Sequence, residues 1–363
     1  MKAAVCRTFG QPLVIEDVTL DPPQAGEVRV RVRAVAICHS DVFLIRGRWQ
    51  GWALDAPIVA GHEAAGVVAE TGSGVTHVKP GDPVIVSLLR ACGRCFFCTK
   101  GQPFLCEGQF ALAREHRLHD LSGADLNLGA NMGAFAEEVV VEQSQVVPIP
   151  ADMPLDRACL LACGVITGLG AVVNTAQVEP GSSVVVVGVG GVGLNAIQGA
   201  ALSGAYPIMA VDVLDTKLAA ARQFGATHTL NAQQVDLVRE IRALTHGRGA
   251  DYAFITVGNA AAVTQALGYV RRAGSVVAVG MPPAGAQAAV TVGDFVYDGQ
   301  RLLGSEMGST RLNVDVPKLV ALYQAGRLKL DELITQRYPL EQINAAIDSM
   351  ERGEALRNVI VIP

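Results

Sequence analysis

The feature that most constrains the fold is an alternation of strand-like and helical segments that begins near residue 180. The apolar runs SVVVVG, PIMAVD, THTLN, DYAFITVG and SVVAVG alternate with helical patterns such as GLNAIQGAALSGA, DLVREIRALTHG and AAAVTQALGYVRRAG. RLLGS is a candidate sixth strand. Alternation of this kind predicts an α/β fold with a doubly wound parallel sheet.

The segments on either side of this region have a different pattern. Residues 1 to about 160 carry short β-like runs, such as EVRVRVRAVAIC and EAAGVVAETG, that Pro and Gly interrupt. The tail from about 307 contains two amphipathic helical patterns, VPKLVALYQAG and LEQINAAIDSMERG, and a final strand, RNVIVIP. A length of 363 residues agrees with about two domains.

A dinucleotide motif follows the first strand of the alternating region. Gly188, Gly190 and Gly193 form G-x-G-x-x-G between the strand SVVVV and a helix. The first glycine permits the tight turn, the second lets a pyrophosphate approach the backbone, and the third allows close helix–strand packing. The motif alone is weak, and a purely structural turn is the alternative.

An aspartate after the next strand strengthens that interpretation. Asp212 comes nineteen residues after Gly193, where a carboxylate would bind the ribose hydroxyls. A carboxylate repels a 2′-phosphate and Val213 offers no cation beside it, so the pattern favours NAD over NADP. Lys217 is a nearby cation that slightly weakens this preference for NAD, and it is also a candidate cofactor-binding residue.

Composition excludes several classes of partner. The net charge of −5 disfavours a nucleic-acid partner, because phosphate binding needs clustered Lys and Arg. We find no signal peptide and no membrane span in the sequence. A cytoplasmic protein is therefore expected, where thiols stay reduced and clustered cysteines more often bind metal than form disulfides.

Half of the eight cysteines lie between residues 92 and 106. Cys92, Cys95, Cys98 and Cys106 have the spacing C-x2-C-x2-C-x7-C. Four thiolates from one loop are the ligand set of a closed tetrahedral structural zinc. Such a site has no open coordination position, so it would hold the loop in shape and perform no chemistry.

An open metal site needs other residues. Cys38 in AICHSD, His62 in AGHEAAG and Cys163 in LACGVITG would leave a fourth position for water or substrate. Glu63 is a candidate alternate ligand. Spacing alone leaves the alternative that the two cysteines and the histidine are buried structural residues.

In combination and order, these motifs resemble the zinc-dependent alcohol dehydrogenases of the medium-chain dehydrogenase/reductase family. The resemblance extends from Cys38-His39-Ser40-Asp41 through Gly61-His62-Glu63, the four-cysteine lobe, Cys163–Thr167 and GVGGVG to Arg357. It implies a GroES-like β-rich catalytic domain, residues 1–164 with 307–363, and a Rossmann NAD-binding domain, residues 165–306. It also implies two zinc ions per chain, one catalytic and one structural, and hydride transfer between an alcohol and NAD to give an aldehyde or ketone.

The resemblance implies roles for individual residues. Ser40 would hydrogen-bond the substrate oxygen and begin proton exit, and Asp41 would orient the imidazole of His62. His39 and Arg357 would contact the cofactor pyrophosphate. The remaining candidate cofactor contacts are Thr167, Gly191, Val192, Val257 and Val279.

The chain departs from the family pattern at two positions. Phe43 occupies the place of a relay histidine, three residues after Ser40, so the proton exit route stays open. Phe110 occupies the place of an arginine in the glutathione-dependent formaldehyde branch, which argues against an anionic glutathione adduct as substrate. The retained loop from about 107 to 133 favours a homodimer over a tetramer.

Several alternatives remain at this point. A polyol dehydrogenase, another specialised dehydrogenase or an NAD-retaining aldehyde dismutase could use the same scaffold. The four-cysteine lobe could be a zinc module that binds nucleic acid or protein, and a non-catalytic NAD-binding protein is a further alternative. We expect an apolar primary or secondary alcohol as substrate, and Trp49 and Trp52 suggest aromatic or bulky ones.

Overall fold

The chain forms two compact units. A computed structural model describes residues 1–49 and 54–363, so Trp52 lies outside the described residues. Unit 1 comprises Met1–Cys163 and Arg311–Pro363, and unit 2 comprises Gly164–Thr310.

Strands are numbered in chain order. They are β1 Lys2–Cys6, β2 Val14–Leu20, β3 Glu27–Ala36, β4 Ile58–Val59, β5 Glu63–Thr71, β6 Pro83–Ser87, β7 Leu118–Asp120, β8 Asn127–Leu128, β9 Glu138–Glu142, β10 Val146–Pro148, β11 Val184–Val187, β12 Ile208–Asp212, β13 His228–Asn231, β14 Ala250–Ile255, β15 Val270–Ala278, β16 Arg301–Gly304, β17 Ile334–Pro339 and β18 Arg357–Val361.

Helices are numbered in the same way. They are α1 His39–Ile45, α2 Phe96–Thr99, α3 Leu155–Ala158, α4 Gly164–Gly170, α5 Gly191–Leu202, α6 Asp215–Gln223, α7 Leu237–Leu244, α8 Ala260–Ala266, α9 Val292–Asp298, α10 Leu312–Gln324 and α11 Ile343–Glu351. Short 3-10 turns lie at Pro103–Leu105, Ala111–Ala113, Gly129–Asn131, Gln143–Gln145, Cys159–Ala162, Glu306–Ser309, Asp331–Leu333 and Leu340–Gln342, and a π-helical turn lies at Ala171–Ala176.

Unit 1 is built on two sheets. A five-stranded sheet has the order β7-β2-β1-β4-β8, and a seven-stranded sheet has the order β10-β6-β5-β3-β18-β17 with β9 also paired to β3. In β3, Val28, Val30 and Val32 are buried and alternate with more exposed arginines, as expected for a strand with one face on a core. The C-terminal tail adds two strands to this sheet, because β18 pairs antiparallel with β3 and parallel with β17.

Unit 2 contains the parallel sheet that the alternating pattern predicts. Its strand order is β13-β12-β11-β14-β15-β16, and neighbouring strands are parallel throughout. The predicted sixth strand is confirmed as β16, which pairs with β15. The chain order reverses between β11 and β14, and ligands of such sheets bind outside the carboxyl ends of the strands at that point.

One predicted helix is shorter in the structure. The pattern AAAVTQALGYVRRAG predicts a helix up to about residue 274, but α8 ends at Ala266 and β15 begins at Val270. The chain turns at Gly268, whose N–H donates to Gln265 O at 3.0 Å. Tyr269 and Val270 are buried in the core of unit 2. Burial of these residues in the sheet therefore outweighs the helical pattern of the sequence.

Among the described residues, no single helix is long and apolar enough to cross a bilayer. One bent pair of helical segments, Leu155–Ala162 with Gly164–Ala176, has a sufficient length and apolar composition when the two are taken together.

Candidate metal centres and dinucleotide site

The open metal site predicted from the sequence is assembled within unit 1. One ligand atom from each of Cys38, His62, Glu63 and Cys163 lies within 4.8 Å of the others, and all four residues are buried. Cys38 is the residue before α1, and His62 directly precedes β5, whose first residue is Glu63. Cys163 follows a 3-10 turn. Two sulfurs and one imidazole with a neighbouring carboxylate are a donor set that suits zinc.

Asp41 ties the ligand-bearing segments together. Its Oδ1 lies 2.8 Å from His62 Nδ1 and accepts the Gly61 N–H at 3.0 Å, while its Oδ2 accepts the Cys38 N–H at 3.1 Å. An Nδ1–H that donates to a carboxylate leaves Nε2 as the nitrogen that can bind a metal. The same carboxylate caps the first turn of α1, so the cap of a helix and the orientation of a ligand depend on one side chain.

The two thiols of this centre form a hydrogen bond that shifts their pKa values in opposite directions. The pKa of Cys38 is lowered well below its ordinary value, chiefly because Cys163 hydrogen-bonds to its sulfur; burial opposes this shift and His62 adds to it. The same hydrogen bond, together with burial, raises the pKa of Cys163 well above its ordinary value. A divalent cation would stabilise both sulfurs as thiolates, so the centre fits a metal ion.

Glu63 has a partner that the sequence analysis did not predict. The guanidinium of Arg357 donates from Nη2 to Glu63 Oε2, and both side chains are buried. Burial raises the pKa of Glu63 to about 7, although the charge of Arg357 opposes that rise. Arg357, a candidate pyrophosphate contact, therefore lies against the metal ligands of unit 1. Its Nε is also buried and has no hydrogen-bond acceptor among the described residues.

Ser40 and His39 lie in the first turn of α1. The helix buries Asp41, Val42, Leu44 and Ile45, whereas Ser40 is half-buried and His39 is exposed. The cysteine ligand before the helix and the candidate proton-accepting hydroxyl in its first turn are thus two residues apart.

The four-cysteine lobe forms a second candidate metal centre. The sulfur atoms of Cys92, Cys95, Cys98 and Cys106 lie within 4.8 Å of one another. Backbone amides point at the sulfurs: Cys92 N–H donates to Cys106 Sγ at 3.2 Å, and Cys95 N–H donates to Cys92 Sγ at 3.3 Å. Such donors stabilise thiolates; those of Cys98 and Glu107 lower the pKa of Cys95 to about 6.

Gly108 is a residue of this lobe that the sequence analysis missed. Its N–H donates to Cys106 Sγ at 3.2 Å. A Cβ at this position would lie 2.5 Å from Cys92 Cβ and about 3 Å from two of the sulfurs. A glycine two residues after the last cysteine was the only signal available in the sequence.

The glycine motif of unit 2 forms a tight turn between β11 and α5. Gly188 has a φ of +88° and its position has no room for a side chain, because a Cβ would lie 2.2 Å from Val257. A Cβ on Gly193 would lie 1.9 Å from Gly188 O. A Cβ on Gly190, by contrast, would meet nothing within 4 Å. Open space in front of Gly190 and the N-terminus of α5 fits a pyrophosphate.

Asp212 is held against this turn at the end of β12. Its Oδ2 accepts the Val189 N–H at 2.8 Å, and its Oδ1 accepts the N–H groups of Val213 and Leu214 at 2.8 and 3.1 Å. A carboxylate has about four acceptor positions, so one remains for a ribose hydroxyl. Lys217 follows within α6 and is half-buried.

The other candidate cofactor residues of unit 2 lie around the same turn. Gly191 and Val192 begin α5, and Val257 and Val279 follow β14 and β15 at the carboxyl edge of the sheet. Thr167 is buried on α4, which packs so closely on α5 that a Cβ on Gly168 would lie 2.1 Å from Val192 O. Thr256 was missed by the sequence analysis; its hydroxyl donates to Val187 O at 3.0 Å beside the glycine turn.

The phenylalanines at both departures from the family pattern contact neighbouring side chains in the structure. Phe43 lies against Trp49 with ring centroids 6.0 Å apart. Phe110 is half-buried, and the guanidinium of Arg90 lies 5.6 Å from its ring centroid. Arg90 itself donates to Gln145 Oε1 at 3.0 Å and to Asn131 O at 3.1 Å.

Comparison with known proteins identifies two family domains in the chain. Residues 24–151 match the alcohol dehydrogenase GroES-like domain, and residues 191–325 match the zinc-binding dehydrogenase domain. The chain is 37% identical to S-(hydroxymethyl)glutathione dehydrogenase of Paracoccus denitrificans, over 99% of each chain.

Two solved structures resemble the whole chain. An alcohol dehydrogenase zinc-binding domain protein from Burkholderia ambifaria has a TM-score of 0.94 at 34% identity, covering 100% of this chain and 98% of that one. Benzyl alcohol dehydrogenase from Acinetobacter calcoaceticus has a TM-score of 0.93 at 31% identity, covering 100% and 99%. By these relatives and by its two domain matches, the chain belongs to the zinc-containing alcohol dehydrogenases of the medium-chain dehydrogenase/reductase family.

Proposed function

We propose that this alcohol dehydrogenase is NAD-dependent, carries two zinc ions per chain, and interconverts uncharged, apolar alcohols with their aldehydes or ketones. The observation that carries the proposal is the buried cluster of Cys38, His62 and Cys163, whose ligand atoms lie within 4.8 Å of one another. Three protein ligands of this kind leave one coordination position for chemistry, whereas the four-cysteine lobe leaves none.

Each residue of the centre has a task in this proposal. A zinc ion bound there would act as a Lewis acid that lowers the pKa of an alcohol hydroxyl, and bound NAD would supply the hydride acceptor. Cys38, Cys163 and His62 Nε2 would hold the ion. Asp41 accepts the Nδ1–H of His62, so Nε2 is the ring nitrogen left to bind the metal. Ser40 would hydrogen-bond the substrate hydroxyl and take its proton while releasing its own hydroxyl proton. Phe43 cannot pass that proton on, so it leaves by another group or by water.

The two units would have different roles in the proposed function. Unit 1, close to the predicted domain 1–164 with 307–363, would carry the chemistry, and unit 2, close to 165–306, would bind NAD. His39 and Arg357 are proposed pyrophosphate contacts, and the buried Arg357 Nε–H is a donor for which a phosphate oxygen would be an acceptor. Asp212 supports NAD over NADP, because its carboxylate, held against the glycine turn, would repel a 2′-phosphate.

The names of the relatives point to different substrates. The Paracoccus relative is named for a glutathione adduct, and the Acinetobacter structure is named for benzyl alcohol. Phe110 favours an uncharged alcohol here, because its half-buried ring offers no charge to an anionic adduct. We therefore place the substrate among apolar alcohols.

A homodimer is the proposed assembly. Strand β16 is an edge of the parallel sheet, with Leu302 40% exposed. The nearby helix α9 buries none of its residues, and Val296 and Tyr297 are 71% and 75% exposed. An edge strand beside exposed apolar side chains suits a twofold contact with a second copy. Because no disulfide joins any of the eight cysteines, all of which lie in the described part of the chain, we also propose a reducing, cytoplasmic location.

The decisive experiment measures turnover of the zinc-loaded protein with NAD and with NADP. The alcohol panel contains short and long aliphatic, benzylic, cyclic, polyol and glutathione-adduct substrates. We expect NADH formation with apolar alcohols and a kcat/KM for NAD well above that for NADP. Asp212→Asn should reduce this preference, with Asp152→Asn as an exposed control.

Two results would contradict the proposal. A higher kcat/KM with NADP would overturn the cofactor assignment. Absence of turnover across the panel, with zinc bound at both centres, would overturn the proposed chemistry.

A further inference from the structure

A buried chain of hydrogen bonds leads to the peptide that carries the candidate ligand Cys163. The hydroxyl of Ser87 donates to the carbonyl oxygen of Ala162 at 2.7 Å, and Ala162 directly precedes Cys163. Both Ser87 and Ala162 are fully buried. Ser87 is the last residue of β6, and Ala162 ends the 3-10 turn Cys159–Ala162. This bond therefore joins the peptide before Cys163 to the seven-stranded sheet of unit 1.

Ser87 also lies opposite a second residue of the buried metal cluster. In the antiparallel pair of β5 and β6, Ser87 is the partner of Glu63. Side chains of residues directly opposite each other in such a pair lie on the same face of the sheet. The hydroxyl of Ser87 and the carboxylate of Glu63 are therefore on one face, and Glu63 contributes to the cluster there together with Cys163.

Gln145 holds the backbone of Ser87. Its Nε2 donates to Ser87 O at 2.9 Å, and the Gln145 side chain is fully buried. Its Oε1 accepts the Nε–H of Arg90 at 3.0 Å and the backbone N–H of Glu142 at 3.1 Å. Because donors meet one end of the carboxamide and an acceptor meets the other, only one orientation of this side chain satisfies all three bonds.

Arg90 is the outermost member of this chain, and it is buried. The next residue, Ala91, donates its backbone N–H to Ser144 Oγ at 2.8 Å, and the four-cysteine lobe begins directly after Ala91. The adjacent residues Ser144 and Gln145 therefore hold both ends of the segment Ser87–Ala91, which connects β6 to the lobe.

We propose that Ser87 positions the metal ligand Cys163, and that Gln145 and Arg90 hold Ser87 in place for this task. This inference rests on the metal centre of the proposed function, although not on its cofactor or its substrate. A bond to the peptide before a ligand restricts where the ligand sulfur lies. Groups that orient metal ligands typically change metal affinity or activity by about 10- to 100-fold. Ser87, Gln145 and Arg90 act through Cys163, so they are positioning residues.

Zinc release to a chromogenic chelator measures this role without turnover. The zinc-loaded protein should release its two ions in two phases, and Cys38→Ser identifies the catalytic phase because this variant lacks a ligand of that centre. Ser87→Ala should speed the catalytic phase by about tenfold and leave the phase of the four-cysteine lobe unchanged. Ser87→Thr keeps the hydroxyl and should restore slow release.

Gln145 is tested by removing its donor and keeping its acceptor. Gln145→Glu retains an oxygen for Arg90 but places a second oxygen against Ser87 O, so the catalytic phase should be faster by about threefold to tenfold. Arg90→Met should act in the same direction by less, because it is one bond further from Cys163. The double variant of Ser87→Ala with Gln145→Glu should release zinc as fast as Ser87→Ala alone, since Gln145 acts through Ser87.

Thr245→Ala is the matched control. The Thr245 hydroxyl donates to Ile241 O at 2.7 Å, and both residues are buried in unit 2, so this variant removes a bond of the same length away from the metal centres. It should lower the melting temperature and leave both release phases unchanged. Equal acceleration of both phases in Ser87→Ala would show a general loss of stability in unit 1 and would overturn the inference. If Ser87→Ala does not fold, Gln145→Glu and Arg90→Met decide by the same comparison of phases.

Turnover separates this inference from the proposed chemistry. A wild type that oxidises no alcohol, with the expected release rates in the variants, would overturn the chemistry and support the positioning role. An active wild type whose catalytic phase is unchanged in Ser87→Ala and Gln145→Glu would support the chemistry and overturn the positioning role. In an active protein, Ser87→Ala should lower kcat and leave the KM for NAD unchanged, because the glycine turn and Asp212 lie in unit 2.

Discussion

Asp41 shows how much one buried carboxylate organises. It accepts hydrogen bonds from His62 Nδ1 and from the backbone of Gly61 and Cys38, so it touches both segments that supply the first two metal ligands. The side chain is only 2% exposed. Loss of this carboxylate should therefore change the orientation of the metal ligands more than it changes the sheets of unit 1.

We expect Asp41→Asn to lower zinc affinity at the catalytic centre by about 10- to 100-fold. The amide keeps the size of the side chain but weakens the acceptor of the His62 ring proton. Zinc titration against a chromogenic chelator measures the affinity, and kcat/KM should fall in parallel. The exposed Asp152→Asn is the control. Wild-type zinc affinity in Asp41→Asn would contradict the role of this residue.

Most residues of the candidate metal site could be predicted from the sequence. Cys38, His62, Glu63 and Cys163 come from three segments, and the resemblance to a family brought them together before the structure did. The Glu63–Arg357 ion pair could not be predicted, because it joins residues 294 positions apart. Gly108 and Thr256 were also missed, since their roles depend on atoms that only the folded chain brings close.

At the scale of elements, the four-cysteine lobe buries little of its own surface. The helix α2 within it spans only Phe96–Thr99 and buries none of its residues. A segment with so little buried surface needs another source of stability, and metal–ligand bonds can supply folding free energy directly.

The two metal centres should therefore respond differently to loss of a ligand. Cys95→Ser should lower the melting temperature and the yield of folded protein, because the lobe loses a ligand. Cys38→Ser should abolish turnover with a much smaller change in melting temperature, because the fold around it is held by the core of unit 1. Scanning calorimetry and steady-state kinetics measure both. A heat-stable Cys95→Ser, or an active Cys38→Ser, would refute the assignment of the respective centre.

Strands β11 and β14 of the parallel sheet are linked through Asp251. Its Oδ2 accepts both the N–H and the hydroxyl of Ser183 at 2.7 Å, and its Oδ1 accepts from Arg271. Burial alone would raise the pKa of Asp251, but these donors lower it below the ordinary value. A lowered pKa stabilises the fold at pH values above the unfolded pKa of about 4, and this stabilisation is lost as the pH falls through the lower folded value.

Asp251→Asn should thus cost about 1–3 kcal/mol of unfolding free energy at pH 7. The cost should shrink as the pH falls from about 4 through the lower folded pKa, because the unfolded wild-type chain binds a proton first and the folded carboxylate is protonated only at lower pH. Urea unfolding at pH 7 and at acidic pH measures the difference. A cost that does not change with pH would show that Asp251 acts through its shape rather than its charge.

Sequence patterns predicted the elements of unit 2 better than their ends. Every strand of the parallel sheet has a predicted counterpart, because buried parallel strands are continuous apolar runs. Helix α8 was predicted too long, since the pattern up to residue 274 does not show that Tyr269 and Val270 enter the core. Helix α9 was not predicted, and none of its residues is buried.

At the scale of the whole molecule, the proposed homodimer would form its contact through the exposed side of α9 and the edge strand β16. The wild-type protein should have a mass in solution of twice the chain mass of 38.0 kDa. Val296→Glu should shift it toward the monomer, because a charge in the proposed contact is costly to bury. Light scattering after size exclusion measures the mass.

A matched control separates this contact from general surface effects. Leu121→Glu introduces the same charge at an apolar side chain that is 73% exposed in unit 1. It should leave the mass unchanged. A monomeric wild type, or a Val296→Glu variant with the wild-type mass, would contradict the proposed dimer.

The position of β18 has a consequence for synthesis on the ribosome. Unit 2 is one continuous segment, so it can complete its sheet once residues up to Thr310 have emerged. Unit 1 must wait, because β3 acquires its neighbour β18 only after residues 357–361 are made. Cys38, His62 and Cys163 are translated long before Arg357, the partner of Glu63. The nascent chain therefore carries the thiols of its catalytic centre, before their surroundings are complete, through most of translation.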